Sequence, residues 1–189
     1  MLNTIAFINE MDKLKAVLRQ TKPTGLDRYE NSAEHSWHTA MAAMVLLQDA
    51  PEGVDALQVL KMLLIHDVVE IDAGDVFTYD ESARTAVAAA EEKAAVRIFG
   101  MLDAPLGPDL LALWREFEAG ETPNARFAKA LDRVGPCLQN LEQQGASWVK
   151  HGISRQRVLA KNAAIAQASP ALWDAIKRRI EAADYLKDE

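Results

Sequence analysis

Apolar residues recur at every third or fourth position along most of the chain, and this spacing places them on one face of an α-helix. The pattern predicts an all-α protein of about seven helices joined by short loops, without a convincing strand, repeat or linker. The first predicted helices cover residues 2–19, 32–48 and 54–71, and a long Ala-rich helix ends at Met101. Later ones cover residues 106–119, 123–143, 154–167 and 170–186.

Residues that favour turns and helix ends set the predicted boundaries. The segment 21–25, Thr-Lys-Pro-Thr-Gly, closes the first helix. Asn31, followed three positions later by Glu34, has the spacing of a capping box and opens the second helix. The third helix is apolar nearly all round, so we expect it to be central. Pro136 should kink or break the helix in which it lies.

Composition and charge narrow the class of protein. The 189 residues fit one domain, which we expect to span residues 1–189, and the abundance of Ala, Leu, Glu and Lys favours helices. A formal net charge of −7 without a basic stripe argues against binding to nucleic acids or anionic membranes. The single Cys137 excludes an intramolecular disulfide and a thiolate metal cluster. No signal peptide or membrane span is evident, so we expect a cytoplasmic protein.

The dipeptide His66-Asp67 lies in an almost unbroken apolar run over residues 59–69. A buried ionised carboxylate is normally paired or bound to a metal, and a neutral imidazole beside it suits a transition-metal site. Glu70, four positions after His66, shares its helix face, whereas Asp67 points about 100° away. Glu70 could therefore meet a water on that metal, as metal-assisted hydrolysis requires. The alternative is a core histidine with a salt-bridged aspartate.

Two further positions carry possible ligands. His35 and His38 are one turn apart on the second predicted helix, and either could bind a metal, although an isolated helical histidine is usually structural. Asp132 lies in a core-like stretch, where the alternative is an ion pair with Lys129 or Arg133. Neither position is decisive by itself.

Together these residues resemble the HD-domain metal-dependent phosphohydrolase superfamily, and within it the 5'-deoxynucleotidase branch. Residues 28–36, Arg-Tyr-Glu-Asn-Ser-Ala-Glu-His-Ser, are similar to that branch's R-x-E-N-x-x-E-H-S signature. Residues 66–75 match its H-D-x-x-E-x-x-x-G-D, and residues 127–132 match its F-x-K-x-x-D. The likeness covers residues 10–145 approximately and fades over the predicted C-terminal helices within residues 154–186.

The resemblance implies an all-α domain that binds one divalent cation, with Co, Mn, Zn, Fe and Mg as the metals found among relatives. The ligands that it implies are His35, His66, Asp67 and Asp132. This set of nitrogen and oxygen donors does not choose between those metals. The resemblance also implies a homodimer.

The resemblance gives roles to three more residues. It implies that Glu70 orients or deprotonates the attacking water, and that Asp75 assists catalysis or holds the sugar. Arg19 would clamp the phosphate, for which a bidentate guanidinium is suited. The chain has Gln20 where the bacterial deoxynucleotidase has a Trp beside the sugar, so selection of deoxyribose over ribose is left open.

The leading hypothesis is therefore a metal-dependent 5'-nucleotidase that releases phosphate from (deoxy)nucleoside monophosphates. A phosphohydrolase acting on another small phosphoester or on a nucleoside triphosphate is the nearest alternative. A catalytically silent metal- or nucleotide-binding regulatory module is a second, but the presence of both Glu70 and Asp75 favours an enzyme. A purely structural helical protein would explain the composition and leave the histidines and carboxylates in apolar helices unexplained.

Overall fold

The computed structural model describes residues 2–188, so Met1 and Glu189, the ends of the predicted domain, lie outside the described residues. The α-helices are α1 (Leu2–Asp12), α2 (Ser32–Leu46), α3 (Ala56–Ile65), α4 (Glu70–Ala73), α5 (Glu81–Phe99), α6 (Leu106–Ala119), α7 (Pro123–Glu142), α8 (Ala146–Lys150), α9 (Arg155–Asn162) and α10 (Pro170–Glu181). Short 3-10 helices directly follow α1, α2 and α9, at Lys13–Ala16, Leu47–Asp49 and Ala163–Gln167. The predicted all-α class is confirmed. No helix among the described residues is long and apolar enough to cross a membrane.

Three groups of buried apolar side chains form the core. One joins α2, α3, α6 and α7, with Met62, Leu63 and Leu131 fully buried. A second joins the latter half of α7 to the helices that follow it, around Trp148. The third packs α5 and Trp114 of α6 against the start of the chain. Helix α7 contributes to two of these groups and so connects the C-terminal helices to the rest of the fold.

Asn31 and Glu34 form the predicted capping box at the start of α2. The Asn31 side chain accepts a hydrogen bond from the Glu34 amide (3.0 Å), and the Glu34 carboxylate accepts one from the Asn31 amide (2.8 Å). Helix α2 therefore begins at Ser32, and its side chains Ser32, His35 and Thr39 are buried. This capping box sets the register that directs His35 into the interior.

The first helix, predicted over residues 2–19, is shorter than predicted. Beyond α1 and its 3-10 turn, Leu18 forms an isolated antiparallel bridge with Asn31. The Arg19 amide donates to the Glu30 carbonyl (2.8 Å) in the same pairing. Because these backbone groups bond to the segment before α2, they do not continue a helix, and Arg19 is held beside the entry to α2.

The helix predicted over residues 54–71 is interrupted, so that prediction is wrong. The four residues between α3 and α4 form turns closed by bonds between residues three apart, among them the bond from the Glu70 amide to the Asp67 carbonyl (3.0 Å). The cause lies in α6, because the buried Trp114 indole donates to the His66 carbonyl (3.2 Å) and removes it from the helical ladder. His66 and Asp67 therefore lie in a turn and not in mid-helix.

Helix α7 runs through Pro136 without interruption, so the helix does not break there, and the alternative of a kink stays a prediction. Proline disfavours a helical conformation of the preceding residue partly by a clash with its Cβ, and here that residue is Gly135. The Gly135 position also packs against His38, whose Nδ1 would lie 3.4 Å from a Cβ added to the glycine. Asp132 consequently projects from the middle of an unbroken helix.

Candidate metal centre and active-site cleft

Three side chains from three separate segments meet inside the fold. His35 of α2, His66 after α3 and Asp132 of α7 each offer one ligand atom, and these atoms all lie within 4.8 Å of one another. His35 Nε2 is 2.9 Å from Asp132 Oδ1, and His66 Nε2 is 3.5 Å from the same oxygen. Both histidines are buried. The structure thus brings together three of the four predicted ligands.

Asp67, the fourth predicted ligand, borders this cluster. Its Oδ1 is 3.1 Å from His66 Nε2, and its Oδ2 is 3.9 Å from His35 Nε2. Oδ2 also accepts a hydrogen bond from Arg19 Nη1 (2.6 Å). The turn after α3 lets the adjacent residues His66 and Asp67 face one point, whereas a straight helix would separate their directions by about 100°.

The protonation of His66 fits a bound cation. The Leu63 carbonyl can only accept a hydrogen bond, so the His66 Nδ1 atom, 2.8 Å away, carries the proton. The Nε2 atom faces the carboxylates of Asp67 and Asp132, and it is buried without a hydrogen-bond partner among residues 2–188. Without a metal, Nε2 can carry a second proton that faces these carboxylates, and a bound cation would take the place of that proton. Two imidazoles and two carboxylates are a suitable donor set for a divalent cation.

The pKa shifts of His66 and Asp132 both result from the attraction between the imidazoles and the carboxylates of the cluster. Burial alone would lower the pKa of His66, but the Asp67 and Asp132 carboxylates raise it to about 9. Burial would raise the pKa of Asp132, yet its hydrogen bond to His35 and the nearby His66 imidazole hold that pKa well below its usual range. The cluster therefore favours positive charge at its centre, and a metal ion would supply it.

Glu30 supports the cluster from behind His35. Its Oε2 lies 3.6 Å from His35 Nδ1, and Gln139 donates a hydrogen bond to its Oε1 (2.5 Å). A carboxylate behind a metal-binding imidazole fixes the ring and increases its basicity. From the sequence alone Glu30 received no role, and the available signal was its place in the R-x-E-N segment just before the capping box.

Replacing Glu30 with glutamine is expected to weaken metal binding by about 10- to 100-fold, because a neutral amide supports the charged centre less well through His35. Titration of the metal-free protein with Zn²⁺ or Mn²⁺ against a competing chelator measures this change. Asp27→Asn is the matched control, since Asp27 is an almost fully exposed carboxylate on the same segment. Unchanged affinity in the Glu30 variant would contradict the supporting role.

The two predicted catalytic carboxylates border the cluster. Burial, and after it the charge of Asp67, raise the pKa of Glu70 well above its usual range, and the Ser32 hydroxyl donates to Glu70 Oε2 (2.5 Å). Burial also raises the pKa of Asp75. Gly74, directly before it, has a φ of +78°, which favours glycine and turns the chain sharply after α4. Carboxyl groups with raised pKa values beside a cleft are candidates for proton transfer.

Arg19 is surrounded by carboxylates. Its Nη1 is 2.6 Å from Asp67 Oδ2 and 3.6 Å from Asp75 Oδ1, and its Nε is 3.5 Å from Glu30 Oε2. Burial would lower the pKa of Arg19, but the Asp67 and Asp75 charges raise it above its usual range. The structure places this guanidinium beside the cluster, and its phosphate-binding role stays a prediction.

An open cleft of about 450 Å³ leads to the cluster. A smaller cavity of about 80 Å³ adjoins it, and both are lined by Asp132 and Arg133. Gln20, Trp148 and Lys161 line the smaller cavity and not the cleft, so the C-terminal helices help to shape this region. The larger cleft is lined by Arg19, His66, Asp67, Val69, Glu70, Asp75, Val76, Thr78, Glu81, Arg84, Thr85, Val87, Ala88, Glu91, Phe117, Glu118, Lys129, Asp132 and Arg133.

Other residues singled out in the sequence lie outside the cluster. His38 is exposed and packs against Gly135. Cys137 is buried, and burial raises the pKa of its thiol to about 12, so it is an unreactive cysteine.

The helical fold and the buried histidine–aspartate cluster define the class of protein. The chain belongs to the HD domain family, whose model matches residues 11–173. The resemblance of its motifs to that superfamily is thereby confirmed.

Named relatives and solved structures give a finer comparison. The chain is 29% identical over 147 residues to the 5'-deoxynucleotidase HDDC2 of Danio rerio, a match that covers 75% of this chain and 70% of that protein. It is 27% identical over 150 residues to HDDC2 of Dictyostelium discoideum, covering 76% of this chain and 79% of that protein. A crystal structure from Magnetospirillum magnetotacticum MS-1, described as a predicted metal-dependent phosphohydrolase, is 44% identical with a TM-score of 0.85, covering 98% of this chain and 94% of that chain. A conserved hypothetical protein from Pyrococcus furiosus shares the fold at 20% identity and a TM-score of 0.67, covering 92% of this chain and 99% of that one.

Proposed function

We propose that this protein is a metal-dependent 5'-nucleotidase that hydrolyses (deoxy)nucleoside 5'-monophosphates to nucleoside and phosphate. The observation that carries the proposal is the buried cluster of His35, His66 and Asp132, which lies at a cleft together with Glu70. The substrate class is taken from the named relatives in Danio rerio and Dictyostelium discoideum, which are 5'-deoxynucleotidases. A cleft of about 450 Å³ is in the usual size range for binding a small molecule such as a nucleotide.

The residues of the cluster would hold one divalent cation, whose identity among Co, Mn, Zn, Fe and Mg is a matter for measurement. The proposed ligands are His35, His66, Asp67 and Asp132. When bound, the cation would polarise a phosphoryl oxygen and make water a stronger nucleophile. The unpartnered Nε2 of His66 supports this assignment.

Glu70 is proposed to accept the proton of the attacking water. Burial and the charge of Asp67 raise the pKa of Glu70, and a raised pKa makes its carboxylate a stronger base. The Ser32 hydroxyl bonds to Oε2 and so fixes the orientation of the carboxylate. Asp75 is proposed to assist catalysis or hold the sugar. Arg19 is proposed to bind the phosphate while it holds Asp67 in place.

The test is phosphate release from dAMP, AMP and other nucleoside monophosphates after chelation and separate re-addition of Co²⁺, Mn²⁺, Zn²⁺ and Mg²⁺. Metal-restored release is expected. The ratio of rates on dAMP and AMP reports how far Gln20 has relaxed sugar selection. Inactivity on every monophosphate, alongside cleavage of a triphosphate or another phosphoester, would contradict the proposed substrate class. If no metal restores phosphate release from any phosphoester, the enzyme proposal is contradicted and a regulatory module becomes the better explanation.

We also propose that the chain forms a single domain and that it is located in the cytoplasm. Trp148 and Lys161, from the C-terminal helices, line the cavity that adjoins the cleft, which supports one functional unit from the first helices to the last. Imaging of a tagged full-length chain would test the cytoplasmic location. A C-terminal truncation after α7 would test the single unit, and full activity in that variant would contradict it.

The predicted homodimer is proposed to use the outer face of α2. Trp37, Met41, Met44 and Val45 recur there at helical spacing, and each is at least 42% exposed. A contiguous apolar face of this kind is typical of an interaction surface. The occupant proposed here is a second copy of the same chain.

Trp37→Asp is expected to shift the protein from dimer to monomer, because a charge in an apolar interface costs several kcal/mol when it loses its water. Light scattering at micromolar concentration measures the mass of each form. Leu106→Asp, which changes an exposed residue at the start of α6, is the matched control. A monomeric unmodified protein would contradict the dimer, and a dimeric Trp37 variant would place the interface elsewhere.

A further inference from the structure

The two arginines nearest the cluster differ in their surroundings. Arg19 has three carboxylates within 3.6 Å of its guanidinium nitrogens, and its side chain is 14% exposed. Most of its positive charge is therefore balanced before a substrate arrives, and its strongest hydrogen bond goes to Asp67. A dianionic phosphate would therefore be bound more tightly if, besides the metal and Arg19, the cleft offered an arginine whose charge is less balanced.

Arg133 meets that requirement. It follows the candidate ligand Asp132 directly on α7, and its Nη1 donates a hydrogen bond to the neutral hydroxyl of Thr78 (2.7 Å). Its ion-pair partner among the described residues is Asp132, whose Oδ2 lies 3.9 Å from the Arg133 Nε. Asp132 already bonds through Oδ1 to His35. The charge of Arg133 is therefore only weakly balanced.

Arg133 also lies where the main cleft meets the adjoining cavity, close to two other cations. It lines both the main cleft and the adjoining cavity, with Arg84 on the cleft side and Lys161 on the cavity side. Burial, and then repulsion by Arg133 and Arg84, lower the pKa of Lys161 to about 8. The cleft carries several carboxylates as well, so Arg133 is distinguished by its own weak ion pairing and not by an overall positive charge of the cleft.

We propose that Arg133 is a phosphate-binding residue, which contacts the phosphoryl oxygens of the substrate from the α7 side of the cluster. The inference rests on the proposed function, since it takes a phosphate monoester as the ligand. Thr78 fixes one nitrogen of the guanidinium and leaves the other terminal nitrogen for the phosphate, and the planar group suits such a contact. Because the Arg133 Nε lies 3.9 Å from Asp132 Oδ2, an anion bound at the metal cluster lies within reach of its guanidinium. The competing explanation is that Arg133 only anchors the loop that carries Thr78.

The experiment measures the binding of inorganic phosphate to the metal-loaded protein by calorimetry, and separately the KM and kcat for dAMP. Arg133→Gln should weaken phosphate binding and raise KM by about 10- to 100-fold, because a charged hydrogen-bond donor is lost. Its metal content and Tm should be unchanged. Arg126→Gln is the matched control, since Arg126 is an exposed arginine on the same helix. Arg133→Lys keeps the charge without the planar donors, so an intermediate affinity is expected.

Thr78→Val distinguishes phosphate binding by Arg133 from anchoring of the loop by Arg133. It removes the hydrogen bond between Thr78 and Arg133 and keeps the guanidinium. A phosphate affinity in Arg133→Gln within about twofold of the unmodified protein would overturn the proposal. An equal loss in Thr78→Val, or absence of phosphate binding to the unmodified protein, would also overturn it. If Arg133→Gln does not fold, Arg133→Lys takes its place in the test. An affinity for phosphate equal to that of the unmodified protein would then overturn the proposal. Phosphate binding needs no turnover, so failure of the nucleotidase activity and failure of this inference are distinguishable.

Discussion

Replacing Glu70 with glutamine is expected to lower kcat on nucleoside monophosphates by about 10²- to 10⁴-fold, because it removes the group that accepts the proton of the attacking water. Glutamine can still accept the hydrogen bond from the Ser32 hydroxyl, so the surrounding fold should persist. The metal should also remain bound, since Glu70 is not among the proposed ligands. Steady-state kinetics and elemental analysis of the same sample measure the two quantities together.

Glu121→Gln provides the comparison, because Glu121 is an exposed carboxylate in the loop before α7. Its kcat should equal that of the unmodified protein. A Glu70→Gln protein with nearly full activity would show that another group accepts the proton. Loss of the metal together with activity would instead assign Glu70 to holding the ion.

His35→Ala is expected to remove the metal and, with it, nearly all of the phosphohydrolase activity. His35 is fully buried, and its Nε2 is 2.9 Å from Asp132 Oδ1, so no solvent-exposed side chain can take its place in the cluster. The metal content should fall from about one ion per chain to near zero, and the rise in Tm on adding metal should disappear, because only binding to the folded state stabilises it. Elemental analysis and thermal melts with and without metal measure both effects.

His38→Ala is the matched control, since His38 lies one turn further along α2 and is exposed. It should keep its metal and activity. His35→Gln separates loss of the ligand from the cavity that alanine would leave in the core. If both His35 variants bound the ion with normal affinity, the ligand set would have to be drawn from other residues.

Features that depend on neighbouring residues could be predicted from the sequence. The capping box formed by Asn31 and Glu34 and the helix over residues 106–119 are confirmed, because both follow from local hydrogen bonding and periodicity. His35, His66 and Asp132 were selected by the order of their motifs, and the structure brings their ligand atoms together. Their role as metal ligands stays a prediction.

Features that depend on distant residues could not be predicted in this way. Helix α3 ends where it does because Trp114, 48 positions after His66, bonds to its carbonyl. The first helix stops short because the backbone of Arg19 pairs with that of Glu30. Hydrophobic periodicity reflects contacts within a few helical turns, so it does not reveal either of these two hydrogen bonds. Glu30 is close to His35 in the sequence, but the Gln139 amide that donates to its carboxylate lies 109 positions away, and that bond is another long-range effect.

The position of the cluster also has a consequence for the stability of the folded chain. His35 and Asp132 are 97 positions apart, so an ion bound to both would join the ends of a long loop. Such a link restricts the conformational freedom of the unfolded chain, much as a disulfide does in secreted proteins. With Cys137 as its single cysteine, this chain cannot form an internal disulfide. The ion would therefore act as a reversible cross-link, and the cellular supply of metal would govern the lifetime of the folded protein as well as its turnover.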